Sequence, residues 1–198
     1  MITICFWNLS KKDQTLAHLI CLARMYEVDI FILAECPNDL EPAIEGLNGL
    51  DAKKYREAVN AKAKVRSLSR LGIEGSVHRF TSIGREMAAW TMPAPKLDPP
   101  EVLVVGVHLP SKAGGNQETD QASVAIEVVK ELTRVEDHRG HRNTALVGDF
   151  NMQPYDAGMT LVTGFSGTDD QNSGRIAGSV PSTASSTPVL QSDVGTVR

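Results

Sequence analysis

Positive charge is the first thing this sequence is short of. Its 20 Lys and Arg are outnumbered by 24 Asp and Glu, giving a net charge of -4 and an isoelectric point near 5.7. A protein that grips long nucleic acid without regard to sequence carries a basic face, because phosphate neutralisation dominates that affinity. Only the stretch from Lys53 to Arg70 is locally basic, so a small or locally presented anionic substrate is easier to accommodate than a long duplex. Cysteine is scarce as well. Cys5, Cys21 and Cys36 are odd in number, sit among apolar neighbours and lack the paired spacing of a zinc site, which reads as buried thiols. Long apolar runs are missing: no segment approaches the roughly 20 residues that a membrane span needs. Nor does the N-terminus show a basic segment followed by an apolar one, so no secretory signal is expected and the expected setting is reducing and cytoplasmic.

What remains is ordinary globular material, 41% hydrophobic and 22% charged over 198 residues, enough for one domain with an ample core. Ile2 to Trp7 is β-branched and aromatic and predicts a strand. Ser10 with Asp13 forms a capping-box start, and Leu16, Leu19, Ile20 and Ala23 recur at helical spacing, predicting a helix to about Glu27. Val28 to Ala34 predicts a second, buried strand, so the chain opens as a βαβ-like unit. Pro37 to Leu71 is mostly polar or weakly helical. Phe80–Arg85, Met87–Met92 and Val102–Val107 predict three further strands, with the proline-dense "MPAPKLDPP" as a loop between the last two. Asn116 to Arg139 predicts a long amphipathic helix with Val124, Ile126, Val129, Leu132 and Val135 on its apolar side. From residue 164 onward, 18 of 35 residues are Ser, Thr, Gly or Pro. Such a segment buries too little apolar surface to offset its ordering entropy, and 164–198 reads as a low-complexity, disordered tail after a domain spanning 1–163.

The most informative stretch is "ALVGDFNMQP", residues 145–154. An apolar strand runs up to Gly148 and ends in Asp149, Phe150 and Asn151. Strand alternation sends Asp149 and Asn151 to one face and Phe150 to the other, and the glycine lets something approach the backbone closely. Taken alone, the same residues also suit a strand end and turn. Three other strands repeat the arrangement: the first ends at Asn8, the second at Glu35, and a later one at His108 in "VVGVHLPSK". In layered α/β proteins ligands collect at strand ends, so these groups can converge on one site. His138 and His141 in "EDHRGH" follow a helix end, where positive charge complements the helix dipole, and this accounts for them better than metal binding. Arg79 and Arg85 read as solvated strand-edge residues before they read as phosphate contacts.

With "FWNL", "ILAEC", "GVHLPSK" and "VGDFNM" in this order, residues 1 to about 160 resemble the endonuclease/exonuclease/phosphatase superfamily, the DNase I-like proteins. The resemblance implies a mixed α/β (α+β) fold, a four-layered α-β-β-α sandwich incomplete at its C-terminus. It implies a divalent-metal-dependent phosphoesterase, nuclease or phosphatase, with Glu35 and Asn8 holding Mg²⁺, or Mn²⁺ in its place. Asp149 would orient or deprotonate the attacking water or touch the metal. Asn151 would donate to the scissile phosphate, and His108 would bond a non-bridging oxygen or assist the leaving group. The partner expected is a phosphate-ester substrate, nucleic acid among the candidates, met by a monomer. The family's closing Ser-Asp-His is answered here only by Ser192-Asp193-Val194, which leaves Asp193 without its histidine. The alternative implied is therefore a catalytically inactive, truncated member that keeps metal or phosphate binding.

Overall fold

The computed structural model describes residues 2–12, 16–49, 54–58, 64–71, 87–94, 96–97, 100–112, 118–153, 155–160 and 176–179. Strand β1 (Ile4–Asn8) leads to helix α1 (Leu16–Tyr26), strand β2 (Ile30–Ala34), helix α2 (Glu41–Asn48) and strands β3 (Arg56–Ala58) and β4 (Val65–Ser69). Strands β5 (Met87–Pro93) and β6 (Glu101–His108) follow, then helix α3 (Glu118–Arg139), strand β7 (Thr144–Asp149), the short helix α4 (Ala157–Thr160) and strand β8 (Ile176–Ser179). The strands form two sheets, ordered β1-β2-β4-β3 and β5-β6-β7-β8. Within them β1 runs parallel to β2, and β6 runs parallel to β7.

Strand alternation then sorts the apolar residues into three clusters, and the clusters define four layers. Ile30, Ile32 and Val65 of the first sheet meet Ala88, Trp90, Met92 and Val104 of the second, forming the core between the sheets. Phe31, Leu33 and Leu68 face the other way, onto Leu19 and Ala23 of α1 and Ala43 and Leu47 of α2. Leu103, Val105, Val107 and Leu146 pack outward against Ala125, Val128, Leu132 and Val135 of α3 and Met159 of α4. This is the α-β-β-α sandwich that the motifs imply.

Two glycines set close approaches. A Cβ on Gly148 would lie 2.1 Å from the Val107 carbonyl oxygen, so the closeness expected at this residue belongs to the neighbouring strand. A Cβ on Gly106 would lie 2.6 Å from Ile32 Cγ2 and 2.7 Å from Val65 Cγ1, across the sheet interface.

Several expectations are corrected. The polar-looking 37–71 region holds α2, β3 and β4, and β4 lies between β2 and β3 rather than outside the sheet. Its inward positions include buried Ser67 and Ser69, small polar residues that conceal a strand from a hydrophobic pattern. Ser10 and Lys11 take left-handed backbone (φ 51° and 56°), and Asp13, the other half of the expected capping box, lies outside the described residues. The buried line of α3 runs through Ala122, Ala125, Val128, Leu132 and Val135, with Ile126 only half-buried. β8 pairs in parallel with β7 and falls within the segment read as a tail. The strand expected over 80–85, Arg79 and Arg85, and residues 192–194 lie outside the described residues. No helix among the described residues is long and apolar enough to cross a membrane.

Candidate functional site

Asn8, His108 and Asp149 each close a strand whose preceding alternate residues (Phe6, Val104, Val147) belong to the core between the sheets. They continue that inward face past the point where apolar packing stops. Parallel pairing of β1 with β2 and of β6 with β7, in register at Asn8–Ala34 and His108–Asp149, brings their C-terminal ends to one mouth of the sandwich. Glu35 follows Ala34 and by alternation alone would face the helices. Its left-handed backbone, φ 46°, breaks the alternation.

The four side chains meet across the two sheets. Asn8 Nδ2 donates to Glu35 Oε1 at 3.4 Å and to Asp149 Oδ2 at 3.3 Å. His108 Nε2 stands 3.3 Å from Glu35 Oε1. A carboxylate only accepts, so the matching tautomer carries its hydrogen on Nε2. Two carboxylates within 3.4 Å of one amide nitrogen concentrate negative charge at the mouth, and the Glu35 side chain is 35% exposed, so this charge is reachable.

Asn151 sits differently from the expectation. β7 ends at Asp149, so strand alternation does not carry through to residue 151, which adopts φ 51°. Its N–H donates to Asp149 Oδ1 (3.0 Å) and its side-chain nitrogen to the Leu109 carbonyl (2.8 Å). Phe150 is buried against α3 as expected. On the other side, Lys11 N–H donates to the Glu35 carbonyl at 2.7 Å, and Ser10 N–H to Asn8 Oδ1 at 2.9 Å.

Two residues that the sequence reading missed support these loops. Arg66 of β4 donates to the Pro37 and Asn38 carbonyls (2.9 and 3.2 Å) and forms a two-pronged ion pair with Glu57 that raises its pKa. Gln121 of α3 is buried and donates to the Pro110 and Asn151 carbonyls. A signal for it existed: Gln121 stands on the same helical line as Ala125, Val128, Leu132 and Val135, an amide on an apolar stripe. His141 lies past the end of α3, away from the mouth, with Nε2 2.7 Å from Glu101 Oε1. Cys36, next to Glu35, has its thiol pushed up to about 11 by burial, so it is no nucleophile here.

Among the described residues no group of three or more His, Cys, Asp or Glu is arranged to enclose a metal ion. The donor set nevertheless fits a hard cation that keeps most of its water. Mg²⁺ is commonly held by one or two carboxylates plus substrate phosphate rather than by an all-protein cage. Glu35 and Asp149 would supply those oxygens. Asn8 Oδ1 retains a second lone pair beyond the one engaged by Ser10.

No protein-family model matches this sequence, and no curated protein matches it in sequence. Solved structures do match. TDP2 from Caenorhabditis elegans superposes with a TM-score of 0.56 at 14% identity, covering 78% of this chain and 48% of that one. Sphingomyelinase C from Streptomyces griseocarneus gives 0.53 at 15% identity, covering 79% and 66%. A β-hairpin deletion mutant of β toxin from Staphylococcus aureus gives 0.51 at 12%, covering 78% and 69%. The chain thus spans about half to two thirds of the length of these structures. With two face-to-face sheets, helices outside and the polar strand ends gathered at one mouth, the chain has the DNase I-like fold.

Proposed function

We propose that this protein is a divalent-metal-dependent phosphoesterase, with the whole site carried by residues 1–163. The observation that supports this most is the meeting of Asn8, Glu35, His108 and Asp149 from two separate sheets, through contacts of 3.3–3.4 Å, at one open end. A structural ion pair needs two residues from neighbouring strands. Four polar residues on four strand ends, where the apolar core stops, suit a ligand. The likeness to a sphingomyelinase C, by name an enzyme acting on sphingomyelin, agrees with this reading.

Bound at Glu35 with help from Asn8, Mg²⁺ or Mn²⁺ would polarise a phosphoryl oxygen and offset charge developing on it. The protein's own groups do the rest. Asp149, fixed by Asn8 and by the Asn151 N–H, accepts a hydrogen bond from the attacking water and orients or deprotonates it. His108, whose Nε2–H points to Glu35 in the free protein, turns that hydrogen to a non-bridging or leaving oxygen of the bound phosphate. Asn151 uses one amide hydrogen on the Leu109 carbonyl, and the second is the donor offered to the phosphate. The acidic surface balance favours a small or locally presented phosphate ester over long duplex.

The test is turnover of bis-p-nitrophenyl phosphate by the purified chain with Mg²⁺ or Mn²⁺. Asp149→Ala should lower kcat by about 10²–10⁴ while the protein stays folded. Absence of metal-stimulated turnover in the parent protein, or full activity in Asp149→Ala, would overturn the assignment. A second reading, a metal- or phosphate-binding protein without turnover, is favoured by one observation: Val194 follows Ser192-Asp193 where the motif calls for histidine. Calorimetric Mg²⁺ binding that Glu35→Gln weakens, with no turnover, would select it.

A further inference from the structure

The ladder between β6 and β7 ends one residue beyond the site, where Leu109 N–H donates to the Asp149 carbonyl at 2.9 Å. Past that point the two segments leave the sheet, and their carbonyls need other donors. Gln121, 1% exposed in the first turns of α3, supplies them. Its Nε2 donates to the Pro110 carbonyl at 2.8 Å and to the Asn151 carbonyl at 2.9 Å. A primary amide carries two hydrogens in one plane, one for each segment. Asn151 Nδ2 crosses the same gap to the Leu109 carbonyl at 2.8 Å. The Gln121 contacts thus join Pro110, two residues from His108, to Asn151, two residues from Asp149.

From this geometry we infer that Gln121 is a positioning residue: it clamps the His108 and Asp149 segments to each other and to α3, fixing their separation without touching substrate. Few side chains can do this. Asparagine is one methylene shorter, glutamate has no donor when ionised, lysine and arginine would bury a charge, and methionine matches the length but donates nothing. The competing account is a buried glutamine that satisfies two carbonyls with no bearing on the site. The two accounts differ in where the effect of losing it is felt. A clamp confines the loss to the two segments. A core residue spreads it through α3 and its sheet.

The reaction it serves rests on the phosphoesterase reading, but the clamp itself is read without activity. Amide hydrogen exchange of the full chain should show Leu109 and Asn151 exchanging at least about tenfold faster in Gln121→Met. Val105 and Leu146, in mid-strand, should exchange as in the parent. Gln121→Glu should behave like Gln121→Met above its carboxyl pKa and recover protection below it, when a protonated acid again offers a donor. With bis-p-nitrophenyl phosphate and Mg²⁺, Gln121→Met should lower kcat by about tenfold to a hundredfold with KM little changed, as misplacing two reacting groups does. Unchanged exchange at Leu109 and Asn151, or equal acceleration throughout the second sheet in both variants, would overturn the clamp. Local acceleration in Gln121→Met, beside a parent that never turns over substrate, would leave the clamp standing and remove the phosphoesterase reading instead.

Discussion

The two halves of the site are held by different means. On the first sheet, Glu35 itself and the Ser10 and Lys11 that follow Asn8 take left-handed backbone, stitched together by main-chain bonds such as Lys11 N–H to the Glu35 carbonyl. Each such non-glycine residue costs about 1–2 kcal/mol. On the second sheet, His108 and Asp149 are held by side-chain carboxamides, Asn151 and Gln121, and by the Lys112–Asp156 pair, which lowers the Asp156 pKa. Here, among the described non-glycine residues beside the site, Asn151 alone is left-handed, a conformation that asparagine tolerates. The first half stores strain to aim a carboxylate. The second spends polar side chains to keep two loops together, and Asn8 and His108 reach across between the halves.

The comparison can be broken or sharpened by substitution. The largest effect on stability is expected at Gly148→Ala, where the new methyl would sit 2.1 Å from the Val107 carbonyl oxygen and the backbone must yield. A loss of about 3 kcal/mol follows, seen in thermal or denaturant unfolding. If Gly148→Ala melts like the parent, β6 and β7 are not packed that closely.

Next comes a matched pair. Asn151→Ala removes the bond to Leu109 and leaves alanine in left-handed backbone, for a loss of about 2 kcal/mol. Glu35→Asn should go the other way, keeping or gaining up to about 1 kcal/mol by relieving strain, while weakening Mg²⁺ binding about tenfold. Denaturant unfolding and calorimetry measure both. Equal losses in the two variants would erase the contrast between the halves.

The smallest effect lies in alkali. Cys5 and Cys36, both in the first half, have thiol pKa values raised by burial from the ordinary 9.0 to about 11. The unfolded chain gives up these protons first, so between about pH 9 and 11 the native state binds more protons and stability falls as pH rises. About 1 kcal/mol per thiol should be lost by pH 10, and Cys36→Ala should remove its share. Exposed Cys21 should react first with a thiol reagent. If Cys36 reacts as fast as Cys21, its burial is misjudged.

Much of this was legible in the residues because period and punctuation agreed. "ILAEC" and "VVGVH" are apolar runs that stop at a charged or imidazole group, and both are strands ending at the mouth. β4 escaped because Ser67 and Ser69 occupy its inward positions, so the apolar alternation that marks a strand is absent. Gln121 escaped for a related reason. α3 buries alanines and a glutamine near its start, and a search for large aliphatics slides past them onto Ile126. Sequence order puts Glu35 at the end of β2, where it lies. Its left-handed turn, which takes the side chain out of strand alternation, leaves no mark on a single glutamate.

Gly106 lies two residues, roughly 7 Å of strand, before His108. With no room for a methyl against Ile32 and Val65, it makes the gap between the sheets as narrow as the backbone permits just behind the mouth. The distance between the first-sheet and second-sheet groups is therefore a calibre set inside the core. A side chain at this glycine would act as a shim, prising apart Glu35 and Asp149 without altering either of them.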